Sequence, residues 1–271
     1  MLSAATWWTM YLLTTAVVVA SMVSPADFPW YNTSIPFDKR AQLLVAAMTD
    51  AEVFNQTTKE ASAIPRLAVP QYSYWAEAAH GIAGVGLATV FPASILRAAA
   101  FDVVSERQMA TMIAQEARAK HANYAATHHN TSDDLHSITL YAPVVNVVRD
   151  GRWGRAQETY GEDPFIAGTL GRAFVEGLQA NASAPATRYL YVSAMAKHFV
   201  AYNLESNFIG GGTNGNFRFQ FDANVSTADL MQSYTPQFTS LVKLGGAATV
   251  MCSCVRLVVS QQPRTLGSVC A

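Results

Sequence analysis

Thr139-Leu140-Tyr141-Ala142-Pro143-Val144-Val145-Asn146-Val147-Val148 is an apolar, strand-like run. It leads directly into Arg149-Asp150-Gly151-Arg152-Trp153-Gly154-Arg155-Ala156-Gln157-Glu158-Thr159-Tyr160-Gly161-Glu162-Asp163-Pro164. A helix-like segment, Phe165 to Leu178, follows. The sixteen residues 149–164 hold three Arg, four carboxylates, an indole and three Gly, in a chain of which only 14% is charged. Charge gathered at the C-terminal end of a buried strand, before a helix, marks where parallel α/β folds build their sites.

The same alternation repeats outward from this stretch. Tyr189–Ala196 (YLYVSAMA) reads as a strand ending at Lys197-His198, and Ala247–Cys252 as another. Val90–Ser94 reads as a short strand-like piece. Helices are expected over 40–52, from the spacing of Leu43, Leu44, Ala47 and Met48, over the Ala-rich 98–121, and over 227–244 with Ser226 or Thr227 as N-cap. Residues 122–137 and the Gly-rich 210–216 read as loops. Strands alternating with helices, with polar clusters at strand ends, predict an α/β fold of the (β/α)8 barrel type. The run holds about six of the eight strand units that closure needs, so the barrel is expected to be incomplete, with exposed sheet edges and marginal stability. Gly84-Val85-Gly86 lacks the third Gly of a dinucleotide fingerprint and leads to Phe91-Pro92, which disfavours a doubly wound fold.

Composition narrows the function. The chain has 271 residues, 51% hydrophobic, with net charge −1, enough for one sizeable core and unsuited to nucleic-acid binding, which needs a basic face. Trp7–Ala20 is apolar and uncharged, and small residues follow it, so residues 1–24 read as a signal peptide with no stable membrane anchor, although no Lys or Arg precedes the apolar stretch. Sequons at Asn32, Asn55, Asn130, Asn181 and Asn224 accord with a secreted glycoprotein. Cys252, Cys254 and Cys270 are confined to the last twenty residues, which excludes a disulfide scaffold. His121, His128, His129 and His136 lack metal-ligand spacing, so no metal is expected, nor any cofactor. No G-x-S-x-G elbow is present.

Five segments, in order, carry a resemblance: YSYWAEAAHG (72–81), FPASILRAAAFD (91–102), APVVNVVRDGRWGRAQETYGEDP (142–164), AKHFVAYNLES (196–206) and FDANVSTADLMQSYTPQF (221–238). Together they resemble the N-terminal domain of glycoside hydrolase family 3, in its β-xylosidase branch, from about Pro36 to Ser253. The resemblance implies hydrolysis, with retention, of terminal β-linked xylose or glucose from oligosaccharides, and a substrate-binding set of Glu77, Arg155, Lys197 and His198. Arg155 offers five donors in a rigid fork, suited to adjacent hydroxyls or to an ion pair with Glu158, Glu162 or Asp163. Lys197 and His198 offer donors to sugar hydroxyls; a lone His is more often a buried group satisfied by backbone, but adjacent Lys and His at a strand end shift the balance toward function. Glu77, where glucose-preferring members carry Asp, adds a methylene that crowds the hexose CH2OH, though Ala76-Glu77-Ala78-Ala79 also suits a helix face. Arg152 and Asp150 are expected to brace the loop.

The resemblance also implies a nucleophilic Asp in an S-D-W or S-D-C element beyond Val250-Met251-Cys252-Ser253, and an acid/base from a later domain. No carboxylate occurs from Met251 to Ala271, so no catalytic residue is assigned and the 271 residues are expected to be inactive alone. Residues 254–271 read as a tail foreign to the family, from a frameshift or a misassigned exon. A non-catalytic sugar-binding remnant and a fragment of a broken gene stand as alternatives.

Overall fold

The computed structural model describes residues 24–180, 189–205, 218 and 222–259. The chain divides into two compact units, Met1–Met48 with Ile64–Val69, and Thr49–Ala63 with Pro70–Ala271. In the smaller unit the helix α1 (Phe37–Ala47) accompanies a cluster of Trp30, Ile64 and Leu67, and the Tyr31 hydroxyl donates to the Ala68 carbonyl at 2.6 Å.

The larger unit opens with α2 (Asp50–Gln56), whose N-cap Thr49 forms a reciprocal capping box with Glu52. The single helix expected over 40–52 is therefore two: α1 stops at Ala47, and Thr49 starts a new helix by capping it. Strands β1 (Glu60–Ala61) and β2 (Tyr72–Ser73) pair antiparallel. Residues 90–94 are not a strand, because α3 (Ser94–Ala98) begins there and Pro92 has no N–H to give a ladder. The long helix α4 (Val103–Thr127) starts where Asp102 Oδ1 accepts from the backbone N–H groups of Val104 and Ser105, at 3.0 Å each. It runs six residues past the expected end at His121. Its buried stripe, Glu106, Ala110, Ile113, Ala114 and Ala117, follows the helical period.

The functional frame is a parallel sheet. Strand β3 (Thr139–Leu140) pairs with β4 (Ser193–Phe199), and β4 with β6 (Thr249–Cys252). Ala76 adds a further parallel rung beside Leu140, and Val144 another beside Lys197. Strands β5 (Asp222–Val225) and β7 (Arg256–Val259) form a separate parallel pair. Among the described residues the sheet does not close on itself. The run 139–148 has only two formal strand residues, but it stays extended and buried, with Val145 N–H donating to the Lys197 carbonyl at 2.9 Å. Tyr189–Val192 is not part of β4, which instead extends through Lys197 to Phe199.

Helix α5 (Pro164–Gln179), capped by Asp163, packs on this sheet and on α4. Two glycines permit the approach: a Cβ on Gly177 would lie 2.3 Å from the Arg107 carbonyl oxygen, and one on Gly171 2.8 Å from Val145. Phe174 and Leu178, fully buried in the shared core, each contribute about 1.5–3 kcal/mol by leaving water. The segment expected as one helix over 227–244 starts at its Ser226 cap but alternates α turns (Thr227–Asp229, Pro236–Thr239) with wider π turns (Leu230–Tyr234, Ser240–Leu244).

Residues 254–259 are integrated rather than loose. Strand β7 pairs with β5, and Val255 and Leu257 are buried with Trp153 and Tyr202. Of the sequon asparagines, Asn32, Asn55, Asn130 and Asn224 are exposed, and Asn181 lies outside the described residues. The apolar stretch Trp7–Ala20 and the Gly-rich 210–216 also lie outside them. Among the described residues no helix is long and apolar enough to cross a membrane.

Candidate functional site

Parallel pairing brings the ends of several sheet segments to one edge, and the four residues singled out in the sequence meet there. Glu77 follows the rung at Ala76, and Lys197 and His198 lie at the end of β4. Glu77 is in extended chain, not on a helix face. Between Lys197 and Phe199 the register with β6 shifts, a bulge that re-aims the intervening His198.

The Lys197 ammonium lies 3.0 Å from Glu77 Oε2 and over the Tyr141 ring. The Lys197 side chain is 4% exposed and that of Glu77 is 35% exposed. Burial lowers the Lys197 pKa from its ordinary value, and the Glu77 carboxylate works against that shift. The other Glu77 oxygen, Oε1, accepts from the Trp75 indole N–H at 3.1 Å.

Asn146 secures His198 from both sides. Its Nδ2 donates to the His198 carbonyl at 2.9 Å, and its Oδ1 accepts from the His198 N–H at 2.8 Å, replacing ladder bonds lost at the bulge. The buried His198 ring leaves Nδ1 without a partner among the described residues. Its pKa is pushed down to about 2, by burial first and then by the cations Arg155, Lys197 and Arg218. The imidazole is therefore neutral near pH 7, with a buried nitrogen that a ligand hydroxyl could satisfy.

Arg155 enters from the charged loop. Its Nε and one terminal nitrogen grip Glu158 at 2.7 and 2.5 Å, and the other donates to the Tyr202 hydroxyl at 3.3 Å. The fork forms the ion pair with Glu158, one of the two readings of Arg155, and the Arg155 charge is felt by His198 and, in turn, feels Glu77. Burial opposes the Arg155 charge, but the Glu158 hydrogen bond and field outweigh it and raise the pKa. Two other loop carboxylates are structural: Asp150 pairs with Arg152, and Asp163 caps α5.

Sequence reasoning passed over Asn146, Tyr202, Glu205 and Arg218. Tyr202 is buried, stands 4.7 Å from the His198 ring and edge-on to Trp153, and accepts from both Arg155 and Arg218, the latter at 3.2 Å. Arg218 also pairs with Glu205 at 3.2 Å. The His-rich segment makes no comparable site. Tyr124 stacks on His128 and His136, and among the described residues no three His, Cys, Asp or Glu gather as metal ligands.

The arrangement is a rim of alternating acids and bases around hydrogen-bonding side chains, at the C-terminal edge of a parallel sheet. A profile described as the glycosyl hydrolase family 3 N-terminal domain matches residues 44–268, well over half of the chain. The chain belongs to glycoside hydrolase family 3. The family match extends beyond Ser253, where the sequence resemblance was read as ending, and includes strand β7. A probable β-D-xylosidase of Arabidopsis thaliana is 37% identical over 239 residues, 83% of this chain and 29% of that protein. A probable exo-1,4-β-xylosidase of Aspergillus clavatus is 39% identical over 234 residues, covering 82% and 28%. The solved family 3 exo-β-xylosidase in complex with a xylobiose aziridine probe superimposes with TM-score 0.73 at 28% identity, covering 87% of this chain and 29% of that one. A β-glucosidase from Kluyveromyces marxianus shares the fold, with TM-score 0.62 at 23% identity, over 80% of this chain and 23% of its own. The chain therefore spans less than a third of the length of these family 3 relatives, and its incomplete sheet is part of the barrel-type domain they have in common.

Proposed function

We propose that this chain supplies the sugar-binding wall of an exo-acting, retaining β-glycosidase that removes terminal β-linked xylose, or less readily glucose, from plant cell-wall-type oligosaccharides. The observation that carries the reading is the Glu77–Lys197 pair beside the Nδ1 of His198, unpartnered among the described residues, all at one sheet edge. A carboxylate and an ammonium at 3.0 Å present acceptors and donors to neighbouring hydroxyls, the pattern a pyranose demands. Arg155, held by Glu158 and Tyr202, adds positive field on the same side. The extra methylene of Glu77 relative to Asp narrows the space for a hexose CH2OH, a bias worth roughly 1–3 kcal/mol.

The reaction needs two carboxyl groups about 5–5.5 Å apart, a nucleophile and an acid/base. Glu77 is engaged by Lys197 and Trp75, and Glu158 by Arg155, so neither is assigned to that pair. On this reading the 271 residues bind sugar and are expected not to turn it over. Calorimetry with xylose and xylobiose, alongside release of nitrophenol from an aryl β-xyloside, tests both halves. Saturable binding lost in Arg155→Ala, with no aryl-glycoside release, is expected. Absence of binding removes the subsite. Turnover abolished by Arg155→Ala removes the non-catalytic reading.

Export is proposed on the apolar stretch Trp7–Ala20 and on the exposure of the sequons at Asn32, Asn55, Asn130 and Asn224. A mass decrease on endoglycosidase treatment of protein from a secreting eukaryotic host checks it, and an unchanged mass counts against it.

A further inference from the structure

Glu77 is held not only from the sugar side but from behind, through the indole of Trp75. Three contacts fix that residue. Its backbone N–H donates to Ser73 Oγ at 3.3 Å, its carbonyl accepts from the Leu135 N–H at 2.8 Å, and the Lys59 ammonium sits 4.5 Å from its ring centroid. Lys59 is itself anchored. Its Nζ lies 2.9 Å from each oxygen of Asp134 and 2.7 Å from Glu60, and Asp134 also accepts from Ser73 Oγ at 2.9 Å. A cation over an indole face within about 6 Å is attracted by the ring quadrupole, and Asp134 and Glu60 together hold Lys59 in that place.

We propose that Lys59 is a positioning residue for the sugar site: clamped by Asp134, it fixes the Trp75 ring, whose N–H fixes Glu77. The inference rests on Glu77 belonging to a sugar subsite. Lys59 itself is half-exposed and touches no candidate ligand contact, which is why it drew no notice in the sequence. The indole N–H and the Lys197 ammonium approach different Glu77 oxygens, so together they set the carboxylate plane. Loss of the clamp frees the ring to tilt and the carboxylate to rotate. Lys59→Met also leaves Asp134 and Glu60 without their cation, so comparison with Lys59→Arg, which keeps the charge, separates positioning from charge.

The test uses the full chain labelled with 15N. Trp75→Phe identifies the Trp75 indole cross-peak, and Lys59→Met is then compared with Lys59→Arg, whose guanidinium can both stack and pair with Asp134. Lys59→Met is expected to shift the Trp75 cross-peak and to weaken xylose binding roughly three- to tenfold, with little change in melting temperature, and Lys59→Arg to restore both. Asp134→Asn, which keeps Lys59 but weakens its anchor, is expected to move the Trp75 cross-peak in the same direction as Lys59→Met, and serves if Lys59→Met does not fold. An unmoved cross-peak and unchanged affinity, while Glu77→Ala abolishes binding, would overturn the role of Lys59. Unchanged binding in Glu77→Ala would instead overturn the sugar subsite, and the cross-peak alone would then decide whether the clamp exists.

Discussion

Two charged clusters sit in the larger unit, and they are built to opposite specifications. In the first, Arg97 on α3 and Glu106 on α4 form an ion pair at 2.9 Å with side chains 2% and 1% exposed. All five Arg97 N–H groups are used, on Glu106, Ser94 and the carbonyls of Ala79 and Pro92. The Tyr160 hydroxyl closes the Glu106 side at 2.6 Å, and burial followed by the Glu106 charge raises its pKa far above the ordinary value. In the second cluster, Glu77 is one-third exposed, His198 keeps an unpartnered nitrogen among the described residues, and Lys197 carries a lowered pKa. Buried polar groups fully satisfied rigidify a fold; a buried polar group left short of partners calls for an explanation, and a ligand is one. The difference separates a saturated lock from an open cluster, although both consist of the same residue types.

That contrast fails first where it is largest. Removing one partner of the lock, as in Arg97→Ala, leaves a buried carboxylate uncompensated and is expected to cost about 3–5 kcal/mol in urea denaturation. A loss below about 1 kcal/mol would place the two clusters in one class.

The site should instead show itself in its pH dependence. His198 has a folded pKa near 2 against an ordinary 6.5, so the folded state excludes a proton that the unfolded chain accepts. The stabilisation is complete above pH 6.5 and is lost as pH falls toward the folded value. Between pH 7 and 5 the loss amounts to about 2 kcal/mol, and His198→Asn is expected to remove that part of the slope. An identical slope in the variant would mean that the imidazole charges freely in the fold.

A smaller effect distinguishes binding from stability. Lys197→Met deletes a desolvated cation and leaves Glu77 open to water, so unfolding free energy is expected to move by less than about 1 kcal/mol. Xylose affinity is expected to fall at least roughly tenfold, as for loss of a charged hydrogen bond. Glu77→Asp should have the smallest consequence, a shift of about 1 kcal/mol in the xylose-to-glucose affinity ratio toward glucose, read by paired titrations. Movement toward xylose would reverse the argument from the methylene.

That Glu77, Arg155, Lys197 and His198 come together was legible because charge next to an apolar run is conspicuous and the order of their segments is that of a known family. Asn146 was hidden inside Val144-Val145-Asn146-Val147-Val148, where an amide reads as a blemish in a strand; only the bulge at His198 gives it a purpose. The lock was invisible for a similar reason, since Arg97 and Glu106 read as helix formers, and nothing local reveals that they meet. The break between α3 and α4 carries no Gly or Pro. It depends on Phe101, at φ 52°, and on the Asp102 cap. The parallel pairing of β3, β4 and β6, by contrast, followed from alternation alone, while strand limits shifted by several residues because register is settled between segments and not within them.

The central claim is that the open cluster is a sugar site and the saturated one is not. A xylobiose titration of the wild-type chain, Glu77→Ala and Tyr160→Phe, each checked for folding by thermal unfolding, tests it most directly. The account predicts saturable binding in the wild type and in Tyr160→Phe, and none in Glu77→Ala. Binding that survives in Glu77→Ala, or is lost only in Tyr160→Phe, would contradict it.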